Sequence, residues 1–135
     1  VFKDFAHSPS KVKATIKAVR QQYPHRRLIA CLELHTFSSL MEDFLPQYAR
    51  CMDEADVAMV YYDPEIIEQK RLKQFEPEQV KTSFGKADLQ VFTNKNDLEK
   101  ALKSLDYKNS ALLLMSSGNF SGLNVNDIVN EKISL

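Results

Sequence analysis

Residues 26–34 read RRLIACLEL, and the fold turns on how that run is taken. Two cations stop at Leu28, and an almost unbroken apolar stretch continues to Leu34. A strand with one wet face alternates apolar and polar residues, whereas a strand covered on both faces has no such alternation to keep. Leu28–Leu34 is therefore read as an inner strand of a parallel sheet. Parallel neighbours need crossover connections, so the flanking sequence should alternate strand with helix.

It does so in both directions. Upstream, Val1–Phe5 is a short strand, Ser8 stands as an N-cap and Pro9 takes the first helical position, where its missing N–H costs nothing. Val12, Ile16, Val19 and Tyr23 recur at helical spacing, Lys11, Lys13, Lys17 and Arg20 face elsewhere, and Pro24 ends the helix. Downstream, after the loop HTFSS (35–39), Phe44, Leu45, Tyr48, Cys51, Met52 and Ala55 predict an amphipathic helix with Pro46 in its first turn. Asp56–Tyr62 is a third strand, and Asp63-Pro64 caps a short helix carrying Ile66, Ile67 and Leu72. A polar stretch with Pro77 and Gly85 leads to the strand LQVFT (89–93). Asn94 caps a helix with Leu98, Leu102 and Leu105 on one face. SALLLM (110–115) is the most hydrophobic strand, followed by SSGNFSGLN (116–124) and a last helix through Ile128 and Ile133. The expected fold is α/β and Rossmann-like: a mostly parallel sheet, helices on both faces, right-handed crossovers.

Composition narrows the function classes. A chain of 135 residues, 44% apolar and 27% charged, suits one domain able to bury roughly two thirds of its unfolded surface. Eighteen basic and eighteen acidic residues cancel, so the positive field needed for nucleic acid or an anionic membrane is absent, and neither partner is expected. No apolar run approaches the roughly 20 residues of a membrane span and no leader is recognised, which makes the cytoplasm the expected location. Cys31 and Cys51 read as small buried hydrophobes, with no second ligand at metal spacing.

In sheets of this kind ligands gather beyond the carboxyl ends of the strands. The loops to question are therefore DFAHSP (4–9), HTFSSL (35–40), YYDP (61–64), TNKN (93–96) and SSGNFSG (116–122). Asp4 and His7 can serve a ligand, or Asp4 can accept its own turn's N–H groups while His7 is solvated. SSGNFSG joins two glycines, hydroxyls and an amide ahead of a helix, where an anionic group is favoured; the alternative is a plain glycine turn. It is no Walker loop, since no lysine follows Gly122, and its spacing is not that of a dinucleotide fingerprint. HTFSS can line a pocket or merely connect. His25, in a helix-to-strand connection, lies at the opposite end of the sheet.

Four segments, DFAHSPSKVKATIKAVR (4–20), LIACLEL (28–34), ADVAMVYY (55–62) and LLLMSSGNFSG (112–122), together resemble the C-terminal domain of the Mur ligases. Within that family the likeness is closest to the murein peptide ligase branch and next to the UDP-N-acetylmuramate-L-alanine ligases. The resemblance implies the third domain, residues 1–135, of a longer ATP-dependent amide ligase. That enzyme would join the peptide L-Ala-γ-D-Glu-meso-diaminopimelate to UDP-N-acetylmuramic acid in peptidoglycan recycling. ATP and magnesium would be bound mainly by a central domain outside this chain, the muramyl carboxylate would be activated as an acyl phosphate, and the incoming amine would attack it. On the same grounds Asp4 and His7 face the nucleotide, while His35, Thr36 and Ser38, with Ser116, Ser117, Gly118 and Asn119, meet substrate. No catalytic residue and no metal ligand is implied here, and the domain alone should be inactive. Three positions depart from the family pattern: Lys3 replaces a second acid, Ser8 a second histidine and His35 an arginine, so the bidentate fork of a guanidinium is missing. The alternative from another class is a free-standing α/β module that binds a small molecule.

Overall fold

A computed structural model describes residues 2–118 and 120–123. Asn119, and with it the expected helix through Ile128 and Ile133, lies outside the described residues. Five strands form one sheet: β1 (Phe2–Asp4), β2 (Arg27–Glu33), β3 (Val57–Tyr61), β4 (Gln90–Phe92) and β5 (Ser110–Met115). Their spatial order is β1-β5-β2-β3-β4, with every pairing parallel. Four α-helices are described, α1 (Pro9–Gln22), α2 (Pro64–Gln69), α3 (Pro77–Phe84) and α4 (Lys95–Ser104).

The expected parallel sheet with helices on both faces is present, and β2 explains it. Its residues from Leu28 to Glu33 are all buried, and alternate ones serve two separate cores. Leu28, Ala30 and Leu32 join Val12, Ile16, Ile67, Val80 and Phe84 of α1, α2 and α3 on one face. Ile29 and Cys31 join Leu98 and Leu102 of α4 on the other. Helix starts follow the sequence signals. The Asp63 side chain accepts from the Glu65 N–H at 2.9 Å and that of Asn94 from the Asn96 N–H at 2.7 Å, while Ser8 holds the N-cap position of α1 without a side-chain bond.

Two expectations are corrected. The helix expected from Phe44 to Ala55 is a 3-10 segment, Glu42–Tyr48, followed by turns. Pro46 sits inside it and has no N–H to give, and Arg50 adopts φ 65° and donates its N–H to the Phe84 carbonyl at 2.8 Å. The apolar spacing nevertheless marked burial correctly, since Leu45, Tyr48, Cys51, Met52 and Ala55 are all in the core. The polar stretch between α2 and β4 contains α3. Pro77 opens it, the Gln79 side chain reaches back to the Glu76 N–H at 2.6 Å, and Gly85 closes it at φ 66°.

Candidate functional site

Strand order decides where the polar loops meet. β5 lies between β1 and β2, and the chain leaves these three strands towards different faces. After β1 and β2 it enters the α1 side, where Ala6, Leu34 and Leu40 are buried. After β5 it enters the α4 side, where Phe120 is buried. Such a divergence opens a crevice at the carboxyl edge.

Register places the loop residues along that crevice. Asp4 pairs with Met115, and Met115 pairs with Leu32. The Ser116 N–H donates to the Asp4 carbonyl at 3.1 Å. The Ser116 hydroxyl donates to Glu33 Oε1 at 2.5 Å and accepts from the Gly118 N–H at 2.7 Å. A β-carbon on Gly118 would stand 2.8 Å from His35 Cδ2, so the loop after β5 rests directly on the imidazole. Asp4, His35, Ser116 and Gly118 thus share one rim. Asn119 is not among the described residues.

Individual roles are more mixed. The Asp4 carboxylate accepts from the Ala6 N–H at 2.7 Å, closing its own turn, and the residue is exposed. His7 Nδ1 lies 2.7 Å from the Phe5 carbonyl and therefore carries the proton of that bond, which leaves Nε2 as an acceptor in the neutral ring. The His7 carbonyl accepts from the Tyr48 hydroxyl at 2.6 Å. Thr36 is occupied with its own turn: its hydroxyl accepts from the Ser39 N–H and its carbonyl from the Ser39 hydroxyl. Ser38 is exposed and Ser117 half-buried. His35 Nδ1 is buried and finds no hydrogen-bond partner among the described residues, an unusual condition for an enclosed polar atom.

Two functional candidates were not singled out in the sequence, although Tyr61 opens the loop YYDP. Glu33 is 2% exposed at the end of β2, and its one signal was an acid inside an apolar run. Tyr61, at the end of β3, donates its hydroxyl to Ser121 Oγ at 2.9 Å, and burial raises its pKa. Ser121 also borders a cleft of about 560 Å³ over β3 and β4, lined by Tyr61, Asp63, Thr93, Asn94 and Lys95, which gathers the loops YYDP and TNKN.

The chemistry of the donor set is narrow. Among the described residues no three of His, Cys, Asp and Glu gather to hold a metal. Asp4 and His7 offer acceptors suited to ribose hydroxyls. Both cysteines are buried and unpaired by disulfide. Burial, reinforced by Asp53, pushes the Cys51 thiol up to about 12, and burial, with Glu33 nearby, pushes that of Cys31 up as well. Among the described residues no helix is long and apolar enough to cross a membrane. Among the described residues the exposed large apolar side chains are Phe5, Phe37 and Met41, all in loops leaving the carboxyl ends of β1 and β2.

Known proteins resemble this arrangement. A crystallised domain of a protein described as a UDP-N-acetylmuramate:L-alanyl-γ-D-glutamyl-meso-diaminopimelate ligase, from Haemophilus ducreyi, superposes over 98% of this chain and 86% of its own, with TM-score 0.60 and 22% identity. A murein peptide ligase from Psychrobacter arcticus covers 97% of this chain and 27% of its own, with TM-score 0.63 and 21% identity. The UDP-N-acetylmuramate-alanine ligase of Thermotoga maritima covers 96% and 26%, with TM-score 0.67 and 14% identity. At these identities the structures share the fold. In sequence, UDP-N-acetylmuramate-L-alanine ligases of Lacticaseibacillus casei and Lacticaseibacillus paracasei are 43% identical over 53 residues, which is 39% of this chain and 12% of theirs. Residues 1–118 match the family described as "Mur ligase, glutamate ligase domain", and on that match the chain belongs to the Mur ligase family.

Proposed function

We propose that this chain is the third domain of an ATP-dependent amide ligase and faces both substrate and nucleotide. The reaction joins L-Ala-γ-D-Glu-meso-diaminopimelate to UDP-N-acetylmuramic acid in peptidoglycan recycling, in the cytoplasm. The observation that carries the reading is the convergence of the loops after β1, β2 and β5 on one rim, through the Asp4–Ser116–Glu33 bonds and the Gly118–His35 contact. Asp4 and His7 hydrogen-bond the nucleotide; His35, Thr36 and Ser38 with Ser116, Ser117 and Gly118 hold the amino-bearing substrate, and Asn119 is assigned with them from the sequence. The exposed Phe5 and Phe37 suit a rim that meets a neighbouring domain, where burial of apolar surface favours closure. The domain's contribution is to position the amine and exclude water, with acyl activation supplied from outside this chain.

A second reading, in which L-alanine is the amine donor, is favoured by the 43% identity to alanine ligases. The two part on an amine-donor panel assayed with the full-length protein, UDP-N-acetylmuramic acid, ATP and magnesium. Faster phosphate release with the tripeptide than with L-alanine supports the first; the reverse order replaces it with the second.

A further inference from the structure

We infer that Glu33 is a positioning residue: its buried carboxylate clasps the loop leaving β5 and so fixes where the amino-bearing substrate lies against His35. This rests on the reading that residues 116–118 meet that substrate.

Three observations carry it. First, a carboxylate is costly at this place. Glu33 is 2% exposed at the last position of a strand whose preceding five residues are buried and apolar, and an aliphatic side chain would enter such a site more cheaply. The polar group therefore needs a use. Its Oε1 accepts both the Ser116 hydroxyl, at 2.5 Å, and the Phe120 N–H, at 2.9 Å, and so pins the loop at two points on either side of Gly118. Second, the far end of that loop is unfavourable on its own. Phe120, Ser121 and Gly122 have φ of 54°, 56° and 82°, and successive left-handed residues persist only where their surroundings impose them. Glu33 on Phe120, Tyr61 on Ser121 and the burial of the Phe120 ring supply that constraint. Third, the clasp brings Gly118 so close that a β-carbon would stand 3.1 Å from Glu33 Oε1 and 2.9 Å from His35 Cγ. A shift at Glu33 is thereby transmitted to the gap between the two loops that hold substrate.

The test compares Glu33→Leu, Glu33→Gln and Ser116→Ala in the full-length protein by hydrogen exchange of the peptide spanning 116–123 and, for the Glu33 variants, by KM for each substrate. Glu33→Leu should speed exchange there tenfold or more and raise KM for the amino-bearing substrate about tenfold, with KM for ATP within twofold. Glu33→Gln keeps an acceptor for both donors and should restore most of each effect. Ser116→Ala, which leaves the strand intact if Glu33→Leu does not fold, should speed exchange by an intermediate amount; it is compared by exchange alone, because Ser116 is itself assigned to substrate. Unchanged exchange in Glu33→Leu, or no rescue by Gln, overturns the inference. Faster exchange with an unmoved KM overturns the substrate reading of residues 116–118 on which it rests.

Discussion

Asp4 combines two tasks that can be separated by substitution. One oxygen closes the turn onto the Ala6 N–H, a bond worth about 1 kcal/mol, and the exposed carboxylate remains available to a ribose. Asp4→Ala should therefore raise KM for ATP roughly tenfold, as expected for a lost charged hydrogen bond of about 1.5 kcal/mol, while lowering stability by about 1 kcal/mol. Asp4→Asn keeps the turn and should recover the stability. Steady-state kinetics and urea titration of both variants check this, and an unchanged KM in Asp4→Ala removes the nucleotide role. Asp56 offers a structural counterpart. Burial disfavours its charge, but the Arg20 guanidinium at 2.6 Å, the Leu28 N–H at 2.7 Å and the Arg20 and Arg27 charges outweigh that and hold its pKa below the usual carboxylate value. The group binds its proton less readily folded than unfolded. Its stabilisation is complete above about pH 4 and is lost as pH falls through the lowered value. Asp56→Asn should thus be less stable than the parent at pH 7, and the gap should narrow as pH falls through that lowered value.

At the scale of the element, legibility depended on whether a local pattern had one physical meaning. β2 and β5 were readable because an unbroken apolar run ended by polar residues has few uses other than a strand covered on both faces. The segment 42–54 was misread because the same apolar spacing serves an α-helix or a 3-10 segment plus turns. Pro46 and the left-handed Arg50 decided between them. α3 was overlooked because its polar surface hid Val80 and Phe84, although Pro77, Gln79 and Gly85 spelled out both ends. The Tyr48 ring lies on that of Phe84 at 5.1 Å and 5°, so tertiary packing completes what eight residues cannot hold alone. A β-carbon at Gly85 would make only an ordinary contact, 3.9 Å from Arg50 Cγ, but must keep φ 66°, so Gly85→Ala should cost about 1 kcal/mol in denaturant unfolding. The thiols give a second check: with Cys51 pushed to about 12 and Cys31 wholly enclosed, neither should react with iodoacetamide at pH 8 until the chain unfolds.

For the whole molecule, the sheet's carboxyl edge was foreseeable as the place of the candidate site, because parallel topology leaves few alternatives. Which residues build it was less so. Asp4, His35, Ser116 and Gly118 were named from loops and resemblance, whereas Glu33 and Tyr61 act across strands whose adjacency no local pattern encodes. If the domain positions substrate and lacks the machinery of acyl activation, residues 1–135 alone should release no phosphate from ATP with any amine donor. Adding the remainder of the protein should restore turnover; phosphate release by the fragment itself would contradict the division of labour.

The placement of β5 also bears on the order of synthesis. Among the described residues Phe2 pairs in the sheet with Leu113, so β1 waits for nearly the whole of β5 to be translated before it has a strand to join. Until then β2 presents a bare apolar flank, the kind of surface to which chaperones and stray strands attach. Nascent chains halted before Ser110 should accordingly be open to proteases from end to end, and protection should arrive in one step once Met115 has cleared the ribosome.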